Sequence, residues 1–148
     1  MSFVRQWCRE RKNRLGRCRS RPGSVVADTE SARLWAFDVE GPGVIRKAPP
    51  FAAHSGRVIA GIGSNARFDS LGVLVSGNIA VATLNTGYIT VISPRGDIVE
   101  SVKMPDPYPT NICFGGADMK TAYITLSDTG RLGKMAWSEP GLKLNYNG

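Results

Sequence analysis

The 148-residue chain carries 19 Lys and Arg residues against 12 Asp and Glu residues, but this excess of positive charge is confined to its first 21 residues. That segment holds eight basic residues and one acid, Glu10, whereas the rest of the chain holds 11 basic and 11 acidic residues. The body of the chain therefore has no basic excess for nucleic-acid binding, and a cationic tail alone binds phosphates without selecting a sequence. No apolar run reaches the roughly 20 residues that a membrane span needs.

The cysteines and the N-terminal segment bear on compartment and domain boundaries. Cys8, Cys18 and Cys113 are an odd number without metal-ligand spacing, so a reducing, cytoplasmic environment is expected. Residues 1–23 contain no apolar segment of a secretory signal. They are poor in acids and rich in Arg, as mitochondrial presequences are, but lack a clean amphipathic period. We expect them to form a basic, disordered tail and residues 24–148 to form the folded domain.

From Gly23 onward the sequence predicts short antiparallel β-strands, because runs of Val, Ile, Thr and Tyr are bounded by Gly, Pro, Asn or Asp. ADTESARLWAFD at residues 27–38 predicts two strands joined by a polar turn, and the Gly/Pro-rich residues 41–61 predict a loop insertion. Four strands are then predicted in succession, at residues 70–75, 78–83, 88–93 and 98–103.

The strand–turn–strand pattern repeats, beginning at Ala27, Ala82 and Thr125, at intervals of 55 and 43 residues. Periods of about 40–50 residues with four short strands each are typical of β-propeller blades. The sequence therefore predicts an all-β fold in which each repeat is one blade.

Three polar residues lie at a constant distance ahead of these repeats. Asn13, Asp69 and Asn111 each precede the start of a repeat by 13 or 14 residues, where the innermost strand of a blade would begin. Innermost strands line the channel of a propeller, and carboxylate and amide oxygens that converge there suit a hard cation such as Ca²⁺ or Mg²⁺. The alternative is that Asn and Asp simply favour the turn before a strand.

From Ser24 onward the chain resembles the C-terminal half of the senescence marker protein/gluconolactonase/luciferin-regenerating enzyme-like family of six-bladed propellers. The resemblance rests on four segments: ADTESARLWAFDV, RFDSLGVLVSGNIAVATL, GYITVISPRGDIVE and MPDPYPTNICFGGADMKTAYITLS. It implies about two and a half to three blades of a six-bladed propeller. It also implies the family's activity, the metal-dependent opening of sugar lactones or related esters.

The resemblance also implies roles for single residues. In the family a divalent cation at the channel mouth is held by an early Glu, an Asn and an Asp. The segment FDSLG at residues 68–72 matches the part that supplies the Asp, which makes Asp69 a candidate metal ligand and general base. Asn13 resembles the Asn ligand, although the turn that follows it in the family is absent, and the early Glu has no counterpart. Asn111 is a candidate for substrate binding, and the choice among Ca²⁺, Zn²⁺, Mn²⁺ and Mg²⁺ stays open.

Two functions are consistent with this sequence. The first is a divalent-metal-dependent hydrolase that acts on a small-molecule lactone and is truncated, so that it is weak or inactive alone. The second is a non-catalytic interaction module. An incomplete ring leaves strand edges open, which predicts self-association, whereas neither specific nucleic-acid binding nor membrane binding is expected.

Overall fold

The computed structural model describes the backbone of residues 2–12, 18–52 and 55–144, and the side chains from residue 23 onward within those ranges. These ranges form three antiparallel sheets and contain no helix. It follows that no helix able to cross a membrane occurs in them. The predicted all-β class is confirmed.

The first sheet is built from the N-terminal part of the chain. Its strands are β1 (Ser2–Lys12), β2 (Cys18–Asp28), β3 (Arg33–Gly41), β4 (Val44–Ile45) and β5 (Arg57–Gly61). The order is β1-β2-β3, and the far edge of β3 pairs with both β4 and β5. Alternate residues of β2 and β3 are buried, among them Val25 and Leu34, because successive side chains of a strand point to opposite faces.

The described backbone of the N-terminal segment contributes β1 and the first part of β2 to this sheet, and the boundary predicted at residue 23 stays a prediction. β1 pairs with β2 along its whole length, from Ser2 opposite Asp28 to Lys12 opposite Cys18. The apolar half of β2 pairs with β3 on one edge, so its other edge would present a row of unpaired backbone groups. β1 supplies the partners for that row, and residue 23 lies inside β2.

The middle sheet is a four-stranded meander that matches the predicted blade. Its strands run in the order β6 (Arg67–Val73), β7 (Ile79–Leu84), β8 (Tyr88–Ile92) and β9 (Ile98–Lys103). Three of the strands begin within one residue of the predicted position, and β6 begins three residues earlier. β7 is buried on both faces because it lies between two other sheets, whereas most of β9 is exposed at the perimeter.

The third sheet contains β10 (Pro109–Gly115), β11 (Thr121–Leu126) and β12 (Arg131–Ala136) in that order. Within the described ranges no strand pairs with the outer edge of β12. Two apolar clusters join the three sheets. Ile79 and Val81 of β7 face the cluster shared with the first sheet, and Ala80 and Ala82 face the cluster shared with the third.

The joint between the middle and third sheets is centred on Phe114. A Cβ atom on Gly72 would lie 2.8 Å from Cε2 of the Phe114 ring, and a Cβ atom on Gly141 would overlap Cβ of Phe114. Trp137 contacts the same ring edge-on, at a centroid distance of 5.9 Å. The segment after Trp137 is tied to the middle sheet as well, since the Leu142 amide donates to the Val73 carbonyl at 2.8 Å.

We expect Gly141→Ala to separate the middle and third sheets. The added methyl group has no space beside Phe114, and overpacking of this kind lowers the free energy of unfolding by roughly 1–3 kcal/mol. The matched control is Gly63→Ala, because a Cβ atom there meets nothing within 4 Å. Urea denaturation of the two variants measures the difference. Equal stability of the two variants would contradict the assigned joint.

Candidate functional site

Asp69 is the third residue of β6, so it lies inside the strand and not in the turn before it. The register between β6 and β7 shifts between Phe68 and Leu71, and Asp69 falls within the shifted stretch. Such irregularities re-aim side chains and are frequent beside active sites. Burial raises the pKa of the Asp69 carboxyl, while a hydrogen bond from the Ser70 amide works in the opposite direction.

Asn111 holds the corresponding position in β10. It is the third residue of that strand, and the register with β11 shifts between Pro109 and Asn111. Its Oδ1 atom is buried and has no hydrogen-bond partner among the described residues. A buried acceptor without a partner costs roughly 1–3 kcal/mol. A buried acceptor of this kind needs an explanation, and a bound ion or a bound molecule would provide one.

The strands that carry these two residues are neighbours. β6 and β10 pack against each other, and they meet where Gly72 approaches Phe114. Gly72 lies three residues beyond Asp69, and Phe114 lies three residues beyond Asn111. The structure therefore sets both polar residues at the same distance along their strands from one shared contact.

In the first sheet the residue that the sequence predicts for this role is Asn13. Asn13 lies outside the described residues, and its role as a ligand stays a prediction.

A second carboxylate, which sequence reasoning missed, holds the loops beside Asn111. Asp106 is 2% exposed and accepts hydrogen bonds from the Tyr108 amide at 2.7 Å, the Thr129 amide at 2.9 Å and the Thr129 hydroxyl at 2.8 Å. Burial alone would raise the pKa of Asp106, but these bonds and one from the Asp128 amide hold it below its ordinary value. The sequence does contain a signal for this role, because an Asp whose side chain can accept a bond from the backbone amide two residues later is typical of an Asx turn.

The donor chemistry of Asp69 and Asn111 fits a hard divalent cation. Both offer oxygen, the donor that Ca²⁺, Mg²⁺ and Mn²⁺ prefer, and no described group donates to the Asn111 oxygen. Two side chains fall short of the six to eight oxygen ligands that Ca²⁺ takes. In the described part of the chain, no three His, Cys, Asp or Glu side chains lie close enough together to hold a metal ion.

A cavity of about 300 Å³ between the middle and third sheets does not include either residue. Gly72, Val73 and Cys113 are among the residues that line it, two to four residues beyond Asp69 and Asn111 along β6 and β10. Cys113 is a free, exposed thiol. The candidate site therefore lies on adjacent strands next to this cavity and not inside it.

Comparison with known proteins gives the family and the fold. The model of the SMP-30/Gluconolactonase/LRE-like region matches residues 20–128. The chain is 33% identical over 108 residues to the 6-deoxy-6-sulfogluconolactonase of Pseudomonas putida, a match that covers 71% of this chain and 34% of that protein. It is 26% identical over 120 residues to the diisopropyl-fluorophosphatase of Loligo vulgaris, a match that covers 80% of this chain and 36% of that protein. The chain thus spans about a third of the length of these curated relatives.

Among solved structures, the calcium-binding protein regucalcin of Agrobacterium tumefaciens matches with a TM-score of 0.64 at 16% identity. The match covers 87% of this chain and 54% of regucalcin. At this level of identity the likeness shows the fold alone. The three sheets are blades of an incomplete propeller, as predicted.

We expect Asn111→Leu to leave the metal-free chain at least as stable as the wild type, and to stabilise it by up to about 1 kcal/mol, because it removes an unsatisfied buried acceptor. The control is Thr110→Val, which removes a hydroxyl that is hydrogen-bonded to Thr125 at 2.8 Å and to Ser127 at 2.9 Å. Thermal unfolding in the presence of a chelator compares them. A loss of stability in Asn111→Leu equal to that in Thr110→Val would show that Asn111 is structural.

Stability should depend on pH through Asp106. The pKa of Asp106 is lower in the folded state than in the unfolded state. The carboxylate therefore stabilises the fold at pH values above the unfolded-state pKa of about 3.9, and this contribution is lost as the pH falls through the folded-state pKa. Asp106→Asn should therefore melt below the wild type at pH 7, and the gap should close in strong acid. Asp118→Asn is the matched control, since the exposed Asp118 accepts a similar bond from the Lys120 amide. A gap that does not change with pH would contradict this assignment.

Proposed function

The chain belongs to the SMP-30/gluconolactonase/LRE-like family, and from that premise we propose that it forms part of the catalytic channel of a divalent-metal-dependent hydrolase that opens sugar lactones. One observation carries the proposal. A half-buried carboxylate, Asp69, and the buried amide oxygen of Asn111, which has no partner among the described residues, are each carried by the third residue of two adjacent strands, β6 and β10.

Asp69 would act as the general base. A carboxylate at this position can accept the proton of a water molecule that attacks the lactone carbonyl. As the oxygen of a water molecule bonds to the lactone carbonyl carbon, the proton of that water passes to Asp69. When the bond between this carbon and the ring oxygen breaks, the proton is returned to the leaving alkoxide.

Asn111 would bind the cation through Oδ1. The other residues that would hold it are Asp69 and, as a prediction from the sequence, Asn13. A bound divalent cation supplies Lewis-acid polarisation of the carbonyl oxygen. Oxygen ligands suit Ca²⁺, Mg²⁺ and Mn²⁺, and Zn²⁺ also accepts carboxylates. We also propose a cytoplasmic location, in keeping with the free thiol of Cys113.

A non-catalytic interaction module is the second candidate function. It is favoured because the described residues offer two candidate ligand side chains, Asp69 and Asn111, and among them no three His, Cys, Asp or Glu side chains could hold a metal ion. Such a module would not bind a cation tightly. Equilibrium dialysis of the purified chain against Ca²⁺ discriminates the two functions, because stoichiometric binding would count against the module.

We expect Asp69→Asn to lower the hydrolysis of gluconolactone, assayed with Ca²⁺, Zn²⁺ or Mn²⁺ added, by about 10²–10⁴-fold, the usual contribution of a general base. Glu100→Gln is the control, because Glu100 is an exposed carboxylate on the outer strand β9. Circular dichroism should show that both variants keep their β structure. Activity that survives in Asp69→Asn would remove this residue from the mechanism.

A further inference from the structure

A cleft of about 440 Å³ lies between the loop that follows β5 and the outer strands of the middle sheet. We call it the outer cleft. It is separate from the candidate site, since neither Asp69 nor Asn111 lines it. Its lining combines hydroxyl-bearing and aliphatic side chains, among them Ile62, Ser64, Tyr88, Thr90, Ile98 and Ser101. A volume above 300 Å³ and a mixed lining of this kind are typical of sites for small molecules.

The alternation of β8 directs its polar residues into the outer cleft. Ile89 and Val91 belong to the cluster shared with the third sheet, so Tyr88 and Thr90 point to the opposite face, toward the first sheet. Ser101 of β9 is paired with Thr90, and paired residues project from the same face of a sheet. Three hydroxyl groups of two neighbouring strands therefore share one wall of the cleft.

Two contacts hold the walls of the outer cleft together, one at each end of β8. In the turn before β8, the side-chain amide of Asn85 donates to the Asn65 carbonyl of the loop. In the turn after β8, a Cβ atom on Gly96 would overlap the carbonyl oxygen of Ile59 in β5, so the two backbones touch there. The walls are thus fixed relative to each other, and the cleft is formed before any ligand enters.

The hydroxyl groups of the cleft keep capacity for hydrogen bonds with a ligand. Thr83 Oγ1 donates to the Val81 carbonyl at 3.3 Å, so in the 2.8 Å contact between the hydroxyls of Thr83 and Thr90 it is Thr90 that donates. Thr90 therefore offers acceptor lone pairs. Among the described residues, no group bonds to the hydroxyl of Tyr88 or Ser101, so each can both donate and accept.

Charge has little part in this lining. The described side chains that line the outer cleft are all uncharged. Lys103 is paired with Tyr88 on the same face, but its Nζ atom donates to the Thr86 carbonyl at 2.6 Å and lies 4.7 Å from the centroid of the Tyr88 ring. The ammonium group is thus engaged by the protein itself, and the lining selects for hydroxyl groups and not for an anion.

We propose that the outer cleft binds a neutral monosaccharide. A sugar ring carries hydroxyl groups around its rim and C–H groups on its faces. The rim bonds to the hydroxyls of Tyr88, Thr90 and Ser101, and a C–H face packs on Ile62 and Ile98. Ile98 is 59% exposed, so a ring seated on it removes apolar surface from water. The site goes beyond the proposed hydrolysis and does not depend on it.

The test is an NMR titration of the ¹⁵N-labelled full chain with D-glucose, with a chelator present so that binding does not involve a cation. We expect saturable shifts of the amides of Ser64, Tyr88 and Ser101, with a dissociation constant on the order of millimolar, as suits a small uncharged ligand. Cyclohexanol, a ring with one hydroxyl group, should bind at least about tenfold more weakly, because the hydroxyl groups of the cleft stay unpaired. Gluconate should bind within a few-fold of glucose.

Two variants test the assigned contacts. Ser101→Val and Tyr88→Phe each remove one hydroxyl group and should weaken glucose binding by about two- to tenfold, the usual contribution of one neutral hydrogen bond. Ser138→Val is the matched control, because it removes an exposed hydroxyl group outside the cleft. The amide spectrum of each variant without ligand reports whether its fold is retained.

Each outcome bears on the proposal. Shifts that do not saturate up to the highest soluble glucose concentration overturn the site, as do shifts around Asp69 and Asn111 in place of the cleft. Equal affinity for cyclohexanol overturns recognition through hydroxyl groups, and gluconate binding more than about tenfold tighter than glucose overturns the choice of a neutral ligand. Unchanged affinity in both Ser101→Val and Tyr88→Phe overturns the assigned contacts. Glucose binding in the cleft of a chain without lactonase activity supports the site and leaves the proposed function alone in question.

Discussion

The contact between Phe114 and two glycines fixes the geometry on which the rest of this molecule depends. Gly72 and Gly141 leave the space that the ring and Cβ of Phe114 occupy, so the middle and third sheets can approach only as closely as this side chain allows. Asp69 and Asn111 lie three residues back from Gly72 and Phe114 on the same two strands. A packing contact without any polar atom therefore determines how far apart the two candidate functional residues stand.

Two carboxylates of this chain show how the surroundings set their chemistry. Asp106 accepts bonds from backbone amides and a hydroxyl, and its pKa falls although the group is buried. Asp69 is less buried and accepts a bond from the Ser70 amide, but burial dominates and its pKa rises. The bonds to Asp106 tie loops together, whereas Asp69 lies on the strand next to that of Asn111, whose Oδ1 has no partner among the described residues. This contrast distinguishes the structural Asp from the candidate functional Asp.

The sequence predicted the middle blade closely because its signals are local. Alternating apolar residues and turns such as Pro94-Arg95-Gly96-Asp97 mark each strand within a few residues, and β9 matches its predicted bounds. The bulge around Asp69 was not predictable, since it depends on how β6 pairs with β7 and not on composition. The pairing of β1 with β2 was not predictable for a similar reason. The sequence predicts the end of β2 before the turn at residues 29–32, but no local pattern reveals which segment pairs with the other edge of β2.

The same distinction between local and long-range information applies to the site. Sequence spacing predicts Asp69 and Asn111 as site residues because every blade repeats one strand pattern, and equivalent positions of first strands recur at the blade period. It could not show that Asn111 Oδ1 has no partner among the described residues, since that depends on three-dimensional packing. Among the described residues two such positions carry a side-chain oxygen, those of Asp69 and Asn111. Because a hard cation needs more ligands than two side chains provide, the chemistry of this site is determined by whatever completes the ring.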